Sequence, residues 1–134
     1  MSELLRVVAG VSIYNGRVLL LRNLRCKSWI FPGGKFEASR DKDELDCLKR
    51  ELEEELGLKC VPRTRIGVFE DKGLPKSGCV ALACWLVDID PYNIRLNGES
   101  GACSWILPSE INSYSITAPT RRCLEFLLRR GQWS

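Results

Sequence analysis

The chain has 134 residues, 45% of them hydrophobic, and its 20 lysines and arginines exceed its 17 aspartates and glutamates, giving a net charge of +3. This length and composition predict one domain, spanning 1–134, with a core of its own. Histidine is absent from the sequence, which excludes Cys/His zinc sites, Ser-His-Asp triads and histidine general bases.

Cysteine usage and the N-terminus both indicate an intracellular protein. The seven cysteines are odd in number, no two form C-x-x-C, and several lie in apolar runs such as CVALACWLV. This pattern favours buried, reduced thiols, with metal or redox use as the alternative. The N-terminus lacks the basic and apolar regions of a signal peptide, and no apolar run approaches ~20 residues. We therefore expect a cytoplasmic protein without a membrane partner.

The first half of the chain predicts strands followed by a helix. LRVVAGVSIY (5–14) and RVLLLRN (17–23) are β-rich and are separated by Asn15-Gly16, which is typical of a tight hairpin. WIF (29–31) predicts a short extended piece that ends at PGG. From about Asp43, leucines recur at helical spacing, with Asp41 or Asp43 as the N-cap and Gly57 after the last turn.

The second half predicts strands and a closing helix. RTRIGVFE (63–70) and CVALACWLVDI (79–89) read as strands joined by the turn-rich DKGLPKSG. A loop, a short strand at CSWIL and a brief helix at PSEIN precede a helix that starts near Pro119. The fold class is therefore α+β: a mixed β-sheet with a helix on each side, or α/β/α sandwich.

The segment RELEEELGL (50–58) places four glutamates within five residues of the predicted helix. On a helix, Glu51, Glu54 and Glu55 fall within about one third of the circumference, beside the leucines, and Glu53 points elsewhere. Like charges at this spacing repel by roughly 0.2–0.5 kcal/mol per pair. A divalent cation with oxygen ligands would relieve this repulsion. A solvated acidic face paired with neighbouring basic residues is the alternative.

The stretch PGGKFEASRDKDELDCLKRELEEELGL resembles the signature of the Nudix hydrolase family. That signature is Gly, five residues, Glu, seven residues and Arg-Glu-U-x-Glu-Glu-x-Gly-U, with U aliphatic, and the second half matches at every fixed position. Adjacent glycines in the upstream turn let the backbone approach a ligand closely. The resemblance covers most of the chain and is closest to the MutT-like branch of nucleoside triphosphate pyrophosphohydrolases. It implies a Nudix-type sandwich.

The first half of the signature departs from the family pattern. The segment between Gly34 and Arg50 is fifteen residues long, two more than in the family, and Arg40 stands where the family has glutamate. The resemblance implies that this glutamate supports the loop by pairing with the arginine of the signature, here Arg50. The acidic residues that could replace it are Asp41, Asp43 and Glu44.

The resemblance implies hydrolysis of a diphosphate bond in a nucleoside diphosphate-linked substrate, with Mg²⁺ or Mn²⁺ as the cofactor. The implied metal ligands are the Gly33 carbonyl, Glu51, Glu54, Glu55 and Glu99. One of the carboxylates, such as Glu54, Glu55 or Glu99, would act as general base. Arg50 would orient the glutamates. For Glu99, an ordinary solvated loop residue is the alternative.

The sequence indicates the substrate-binding residues less specifically than it indicates the metal ligands. Lys35, directly after the glycines, and Arg22 could contact phosphate oxygens. Apolar or aromatic groups that could pack on a nucleobase are Phe69, Leu74 and Tyr114, with a plain core or turn role as the alternative. The MutT-like branch uses an asparagine near the start of the last helix to read an oxidised guanine. SITAPT (115–120) has none, which argues against 8-oxo-dGTP as the specific substrate.

The resemblance therefore implies a Mg²⁺-dependent hydrolase that converts a (d)NTP to NMP and pyrophosphate in nucleotide pool sanitation. NDP-sugars, ADP-ribose and dinucleoside polyphosphates are alternative substrates, and a non-catalytic nucleotide-binding module is the alternative from another class. The modest net charge argues against a nucleic-acid partner. The short chain favours a monomer or weak homodimer.

Overall fold

The computed structural model describes residues 4–24, 27–73, 78–98 and 100–134. Its strands are β1 (Leu5–Val11), β2 (Ile13–Tyr14), β3 (Arg17–Asn23), β4 (Trp29–Ile30), β5 (Gly33–Lys35), β6 (Val61–Lys72), β7 (Cys79–Asp88) and β8 (Ser100–Ile106). The α-helices are α1 (Glu44–Leu56) and α2 (Ala118–Arg129), and a 3-10 helix spans Pro108–Ser113. Within the described ranges, every helix is too short or too polar to span a membrane.

The strands form two four-stranded sheets. The first has the order β5-β1-β7-β6, in which β1 and β7 are parallel and the other pairs are antiparallel. In the second sheet β3 pairs antiparallel with β2, β4 and β8. The α+β class predicted from the sequence is confirmed, with the strands divided between a mixed and an antiparallel sheet.

Two apolar layers place the helices on opposite faces of the sheets. Successive strand residues face opposite sides, so Val8 packs in the layer with α1 while Ala9 packs in the layer with α2. The buried residues of α1 are Cys47, Leu48, Leu52 and Leu56. Burying one leucine side chain stabilises the fold by roughly 1.5–3 kcal/mol. This apolar stripe fixes the rotation of α1, and the edge beside it carries the glutamates.

The Asn15-Gly16 turn forms as predicted, but the hairpin it closes is short. Both residues have positive φ, 51° and 75°, and the turn joins β2 to β3. β1 does not extend this hairpin, because it pairs with β5 and β7 in the other sheet. Its residues from Val8 to Val11 are buried, as expected for a central strand covered on both faces.

Both ends of α1 carry the caps that the sequence offered. Asp43 is the N-cap, and its side chain accepts a hydrogen bond of 2.9 Å from the Asp46 N–H. Gly57, with φ of 68°, ends the helix and donates its N–H to the Glu53 carbonyl at 3.0 Å. A left-handed residue at this position is best suited by glycine. Of the two predicted N-caps, Asp43 is therefore correct.

The described cysteines are free thiols, and Cys47, Cys60, Cys84 and Cys123 are buried. Burial raises the pKa of the Cys47 thiol to about 12. A thiol with so high a pKa is a poor nucleophile and metal ligand. These four cysteines act as small apolar core residues, as their apolar surroundings in the sequence predicted.

Candidate active site

Three of the four clustered glutamates line one cleft. Glu51, Glu54 and Glu55 share this cleft with the Gly33-Gly34 turn, as the helical spacing predicted. Their exposure differs, since the Glu51 side chain is 15% exposed and that of Glu54 is 48% exposed. The buried, apolar side of α1 lies directly beside these three glutamates. Together, Glu51, Glu54 and Glu55 form what is called here the acidic edge of the helix.

Each of these carboxylates meets a donor from the protein. Glu51 Oε1 accepts from Arg50 Nη1 at 2.9 Å, and Glu55 Oε1 accepts from the Gly33 N–H at 2.6 Å. Glu54 Oε1 lies farther from its cations, 3.5 Å from Arg40 Nη2 and 3.7 Å from Arg50 Nη1. Glu54 is therefore the least constrained of the three.

The two glycines of the turn are needed for different reasons. A Cβ on Gly33 would lie 2.2 Å from the Val8 carbonyl oxygen, which is backbone of the central strand β1. A Cβ on Gly34 would lie 2.1 Å from Cδ of Glu51. Gly33 thus allows β5 to pair with β1, while Gly34 makes room for the carboxylate of Glu51.

We expect Gly34→Ala to fold but to lower kcat by about tenfold to a hundredfold. The new methyl group would displace the Glu51 carboxylate, which the resemblance to the family implies is a metal ligand, and a displacement of about 1 Å in an active site can reduce the rate about a hundredfold. Gly33→Ala is the matched control, and it should unfold at much lower temperature because its methyl group meets backbone. Activity assays and thermal melting of both variants check this. Full activity of Gly34→Ala would contradict the role assigned to this contact.

Of the three acidic candidates for the partner of Arg50, Asp41 is the one that pairs with it. Its carboxylate receives two hydrogen bonds from Arg50, Nε at 3.0 Å and Nη2 at 2.9 Å, and one from the Glu37 N–H at 2.8 Å. The Asp41 side chain is 1% exposed. The Arg50 hydrogen bond lowers the pKa of Asp41 to about 2, and the same contact raises the pKa of Arg50.

The other two candidates have different partners. Asp43 caps α1, and Glu44 forms a two-pronged ion pair with Arg65, with both N–O distances at 2.9 Å. Glu44 also accepts from Trp85 Nε1 at 2.8 Å. The hydrogen bond from Arg65 lowers the pKa of Glu44. Glu44 therefore ties the start of α1 to β6 and β7.

Arg50 joins the loop to the acidic edge. It is 17% exposed and contacts Asp41, Glu51 and, at 3.5 Å, Glu37. Burial raises the pKa of Glu51 above its ordinary value, an effect that Arg50 opposes and the charge of Glu54 reinforces. Arg50 thus opposes the effect of burial on Glu51 and holds its carboxylate at 2.9 Å, which is in keeping with the predicted orienting role of this arginine.

A second loop closes on the end of α1. The Arg95 N–H donates to the Leu56 carbonyl at 2.8 Å, and Asn97 Nδ2 donates to the Glu54 carbonyl at 3.1 Å. These bonds satisfy carbonyl groups that the helix leaves unpaired at its C-terminal end. They bring Asn97 to the wall of the cleft beside the glutamates.

The donors of the acidic edge suit a hard divalent cation, since they are carboxylate oxygens with the backbone of Gly33 close by. Among the described residues, no three acidic or cysteine side chains converge closely enough to hold a metal. The three glutamates do not converge because each carboxylate contacts a different partner. Glu51 contacts Arg50, Glu55 contacts the Gly33 N–H, and Glu54 contacts Arg40. The residues fit the metal in chemistry and location, and side-chain rotation is needed to bring the carboxylates together.

The cleft has a volume of about 330 Å³ and is lined by apolar and polar residues in addition to the acidic edge. Its apolar lining includes Leu5, Val7, Ile30, Phe31, Val80, Leu82 and Pro119. Its uncharged polar lining includes Asn23, Thr117 and Thr120, and the Thr117 hydroxyl lies 3.2 Å from that of Thr120. One cavity therefore combines carboxylates with an apolar part of the lining, here called the apolar slot.

The predicted substrate contacts are only partly in this cleft. Lys35 lines it, whereas Arg22, Phe69 and Tyr114 are not among its described lining residues. Phe69 packs edge-on against Phe126, and Tyr114 packs against Trp29 and hydrogen-bonds Ser104. Leu74 and Glu99 lie outside the described residues.

Sequence reasoning missed the polar residues Asn23, Asn97, Thr117 and Thr120. Asn23 ends β3, and the two threonines lie at the start of α2. The sequence singles out Tyr114 in the same segment as a possible base contact, but Thr117 and Thr120 carry no specific signal in it. These polar residues share a cleft with the glutamates only because segments that are distant in the sequence pack together in the fold.

The NUDIX domain family model matches residues 4–126 of the chain. An uncharacterized Nudix hydrolase of Shigella flexneri, YfcD, is 33% identical over 119 residues, which are 83% of this chain and 58% of that protein. The mRNA-decapping enzyme subunit 2 of Saccharomyces cerevisiae is 40% identical over 53 residues, 37% of this chain and 5% of that protein. The chain thus spans little more than half of one relative and a small part of the other.

Among solved structures, the MutT protein of Methanosarcina mazei has the same fold, with a TM-score of 0.82 at 23% identity. The match covers 97% of this chain and 96% of that one. The chain belongs to the Nudix family, as the resemblance of its sequence predicted. Nudix hydrolases generally use divalent metal ions, in keeping with the acidic edge.

Proposed function

We propose that this chain is a Mg²⁺-dependent hydrolase that converts a nucleoside or deoxynucleoside triphosphate to the monophosphate and pyrophosphate. The observation that carries the proposal is the single cleft, in which the acidic edge of α1 and an apolar slot with hydroxyl and amide groups lie together. A phosphate chain and a nucleobase need these two environments, connected, in one site. Removal of unwanted nucleotides from the pool is the corresponding cellular role.

The residues of the acidic edge would hold the cation. In this proposal the ligands are Glu51, Glu54 and Glu55, with the Gly33 carbonyl and Glu99. When bound, Mg²⁺, or Mn²⁺ in its place, neutralises phosphate charge and lowers the pKa of the attacking water.

The protein orients these groups and accepts a proton. Arg50 holds Glu51 in place, and the Gly33 N–H does the same for Glu55. Glu54 has only longer ion pairs, at 3.5 and 3.7 Å. It is therefore the carboxylate best able to accept the proton of the attacking water. Lys35, at the rim, binds phosphate oxygens.

The base lies in the apolar slot in this proposal. Phe31 and Leu82 pack against its faces, and Asn23 and Thr117 hydrogen-bond its edges. Thr120, which is 2% exposed, supports Thr117 from within the core. A cleft of about 330 Å³ is at the small end of the usual range for ligand sites. It accommodates one nucleoside better than two, which favours a mononucleotide over a dinucleoside polyphosphate.

A substrate panel tests the proposal. Phosphate and pyrophosphate release are measured with canonical and oxidised NTPs, NDP-sugars, ADP-ribose, dinucleoside polyphosphates and capped RNA, with Mg²⁺, with Mn²⁺ and with chelator. We expect metal-dependent release of pyrophosphate from an NTP. A better rate with another class would replace the substrate but keep the hydrolase. Stabilisation by nucleotide without any turnover would instead indicate a binding module.

A further inference from the structure

Arg40 occupies an unusual place beside the acidic edge. It stands in the lengthened loop, where a turn formed by the Arg40 N–H and the Glu37 carbonyl, 2.9 Å apart, directs the chain toward α1. Its guanidinium lies 3.4 Å from Glu37 and 3.5 Å from Glu54. The loop thus places the positive charge of Arg40 beside Glu54, the least constrained of the three carboxylates in the cleft.

Arg40 and Arg50 hold their carboxylates in very different ways. Arg50 is 17% exposed and makes three hydrogen bonds of 2.9–3.0 Å to Asp41 and Glu51. Arg40 is 53% exposed, and both of its ion pairs are longer and reach exposed carboxylates. Exposed pairs of this length are weak and are readily broken. Arg50 is therefore a fixed part of the site, whereas Arg40 is a cation that another cation can displace.

We propose that Arg40 is a built-in counter-ion of the metal site, which pairs with Glu54 in the metal-free protein and competes with the divalent cation for this carboxylate. This inference rests on the proposed function only in taking Glu54 as a metal ligand. Without metal, Arg40 lowers the repulsion between Glu54 and its neighbours Glu51 and Glu55. A cation binding at Glu54 has to displace Arg40, so the protein binds metal more weakly than its carboxylates alone would allow.

The test is the affinity of the metal-free protein for Mn²⁺, measured by calorimetry without nucleotide. For Arg40→Gln we expect the Kd for Mn²⁺ to fall about two- to fivefold, the effect of removing one exposed ion pair. Arg40→Lys should stay close to wild type, because it keeps the positive charge. The difference between wild type and Arg40→Gln should shrink at high salt, which screens exposed charges.

Arg17→Gln is the matched control for net charge. Arg17 is similarly exposed, at 45%, and pairs with Glu110 at 3.6 Å, away from the cleft. Its substitution should leave the Kd for Mn²⁺ unchanged. Equal Kd values for Arg40→Gln and Arg17→Gln would overturn the counter-ion role, as would equal tightening by Arg40→Lys. Absence of Mn²⁺ binding in the wild type and every variant would instead remove the metal site on which the proposed function depends.

Discussion

Glu54→Gln is expected to lower kcat for the best substrate by about 10³-fold while the protein stays folded. The amide keeps the size of the side chain but can neither accept a proton nor offer a negative charge to the metal, and loss of a general base alone typically reduces the rate by 10²–10⁴-fold. Because the side chain is 48% exposed and its ion pairs are long, the melting temperature should change little. Steady-state kinetics with Mg²⁺ and thermal melting check both parts.

Glu53→Gln is the matched control, since it makes the same chemical change one residue away. Glu53 is exposed and is not among the described residues that line the cleft. We expect its kcat to equal that of wild type. If both variants lost activity equally, the loss would reflect the net charge of α1. Near-wild-type turnover by Glu54→Gln would exclude Glu54 as the general base.

Asp41→Asn is expected to lower the free energy of unfolding by about 3 kcal/mol and the melting temperature by about 10 °C. The change removes the charge that faces Arg50 within a pair that is nearly closed to solvent. The variant takes from Arg50 its most buried acidic partner and the two hydrogen bonds to that partner's charged carboxylate. The acidic partners left to Arg50 are Glu51 and, at longer distances, Glu37 and Glu54, so the change destabilises more than the loss of a surface pair. Urea unfolding at neutral pH measures the difference.

The stabilising effect of Asp41 is also expected to depend on pH. The pKa of Asp41 is about 2 in the folded protein and 3.8 ordinarily, so the folded state binds the proton less readily than the unfolded state. The stabilisation by Asp41 is therefore complete above the ordinary pKa and is lost as the pH falls through the folded value. We expect the stability difference between wild type and Asp41→Asn to shrink from about pH 5 toward pH 2.

Asp43→Asn distinguishes the ion pair from the helix cap. Asparagine caps a helix about as well as aspartate, so this variant should stay within about 0.5 kcal/mol of wild type. If it were destabilised as strongly as Asp41→Asn, the special role of Asp41 would be contradicted. An Asp41→Asn protein as stable as wild type at neutral pH would contradict it directly.

The lengthened loop shows why spacing alone could not identify the partner of Arg50. Asp41, Asp43 and Glu44 all lie within a few residues of the position expected for the missing glutamate. The choice among them depends on the path of the backbone. The turn at Glu37 directs the Asp41 carboxylate inward to Arg50, while the next acidic residues are used by the helix cap and by Arg65.

The sequence by itself determined the local features of this protein. The leucine period set the buried stripe of α1, so the edge formed by Glu51, Glu54 and Glu55 followed from the geometry of a helix. The turn at Asn15-Gly16 and the end of α1 at Gly57 followed from the backbone preferences of asparagine and glycine. The family signature is built from the same local pattern, which explains why it could be recognised.

The tertiary structure alone decided which distant segments meet. β1 joins β7 across about 75 residues, in place of extending the nearby hairpin, and this pairing forms the wall that carries Leu5 and Val7. The end of β3 and the start of α2 then bring Asn23, Thr117 and Thr120 to the same cleft. Periodicity reports only which face of an element is buried. Which elements pair with one another depends on the packing of the whole chain. The acidic edge was therefore predictable from the sequence, whereas the apolar slot in the same cleft was not.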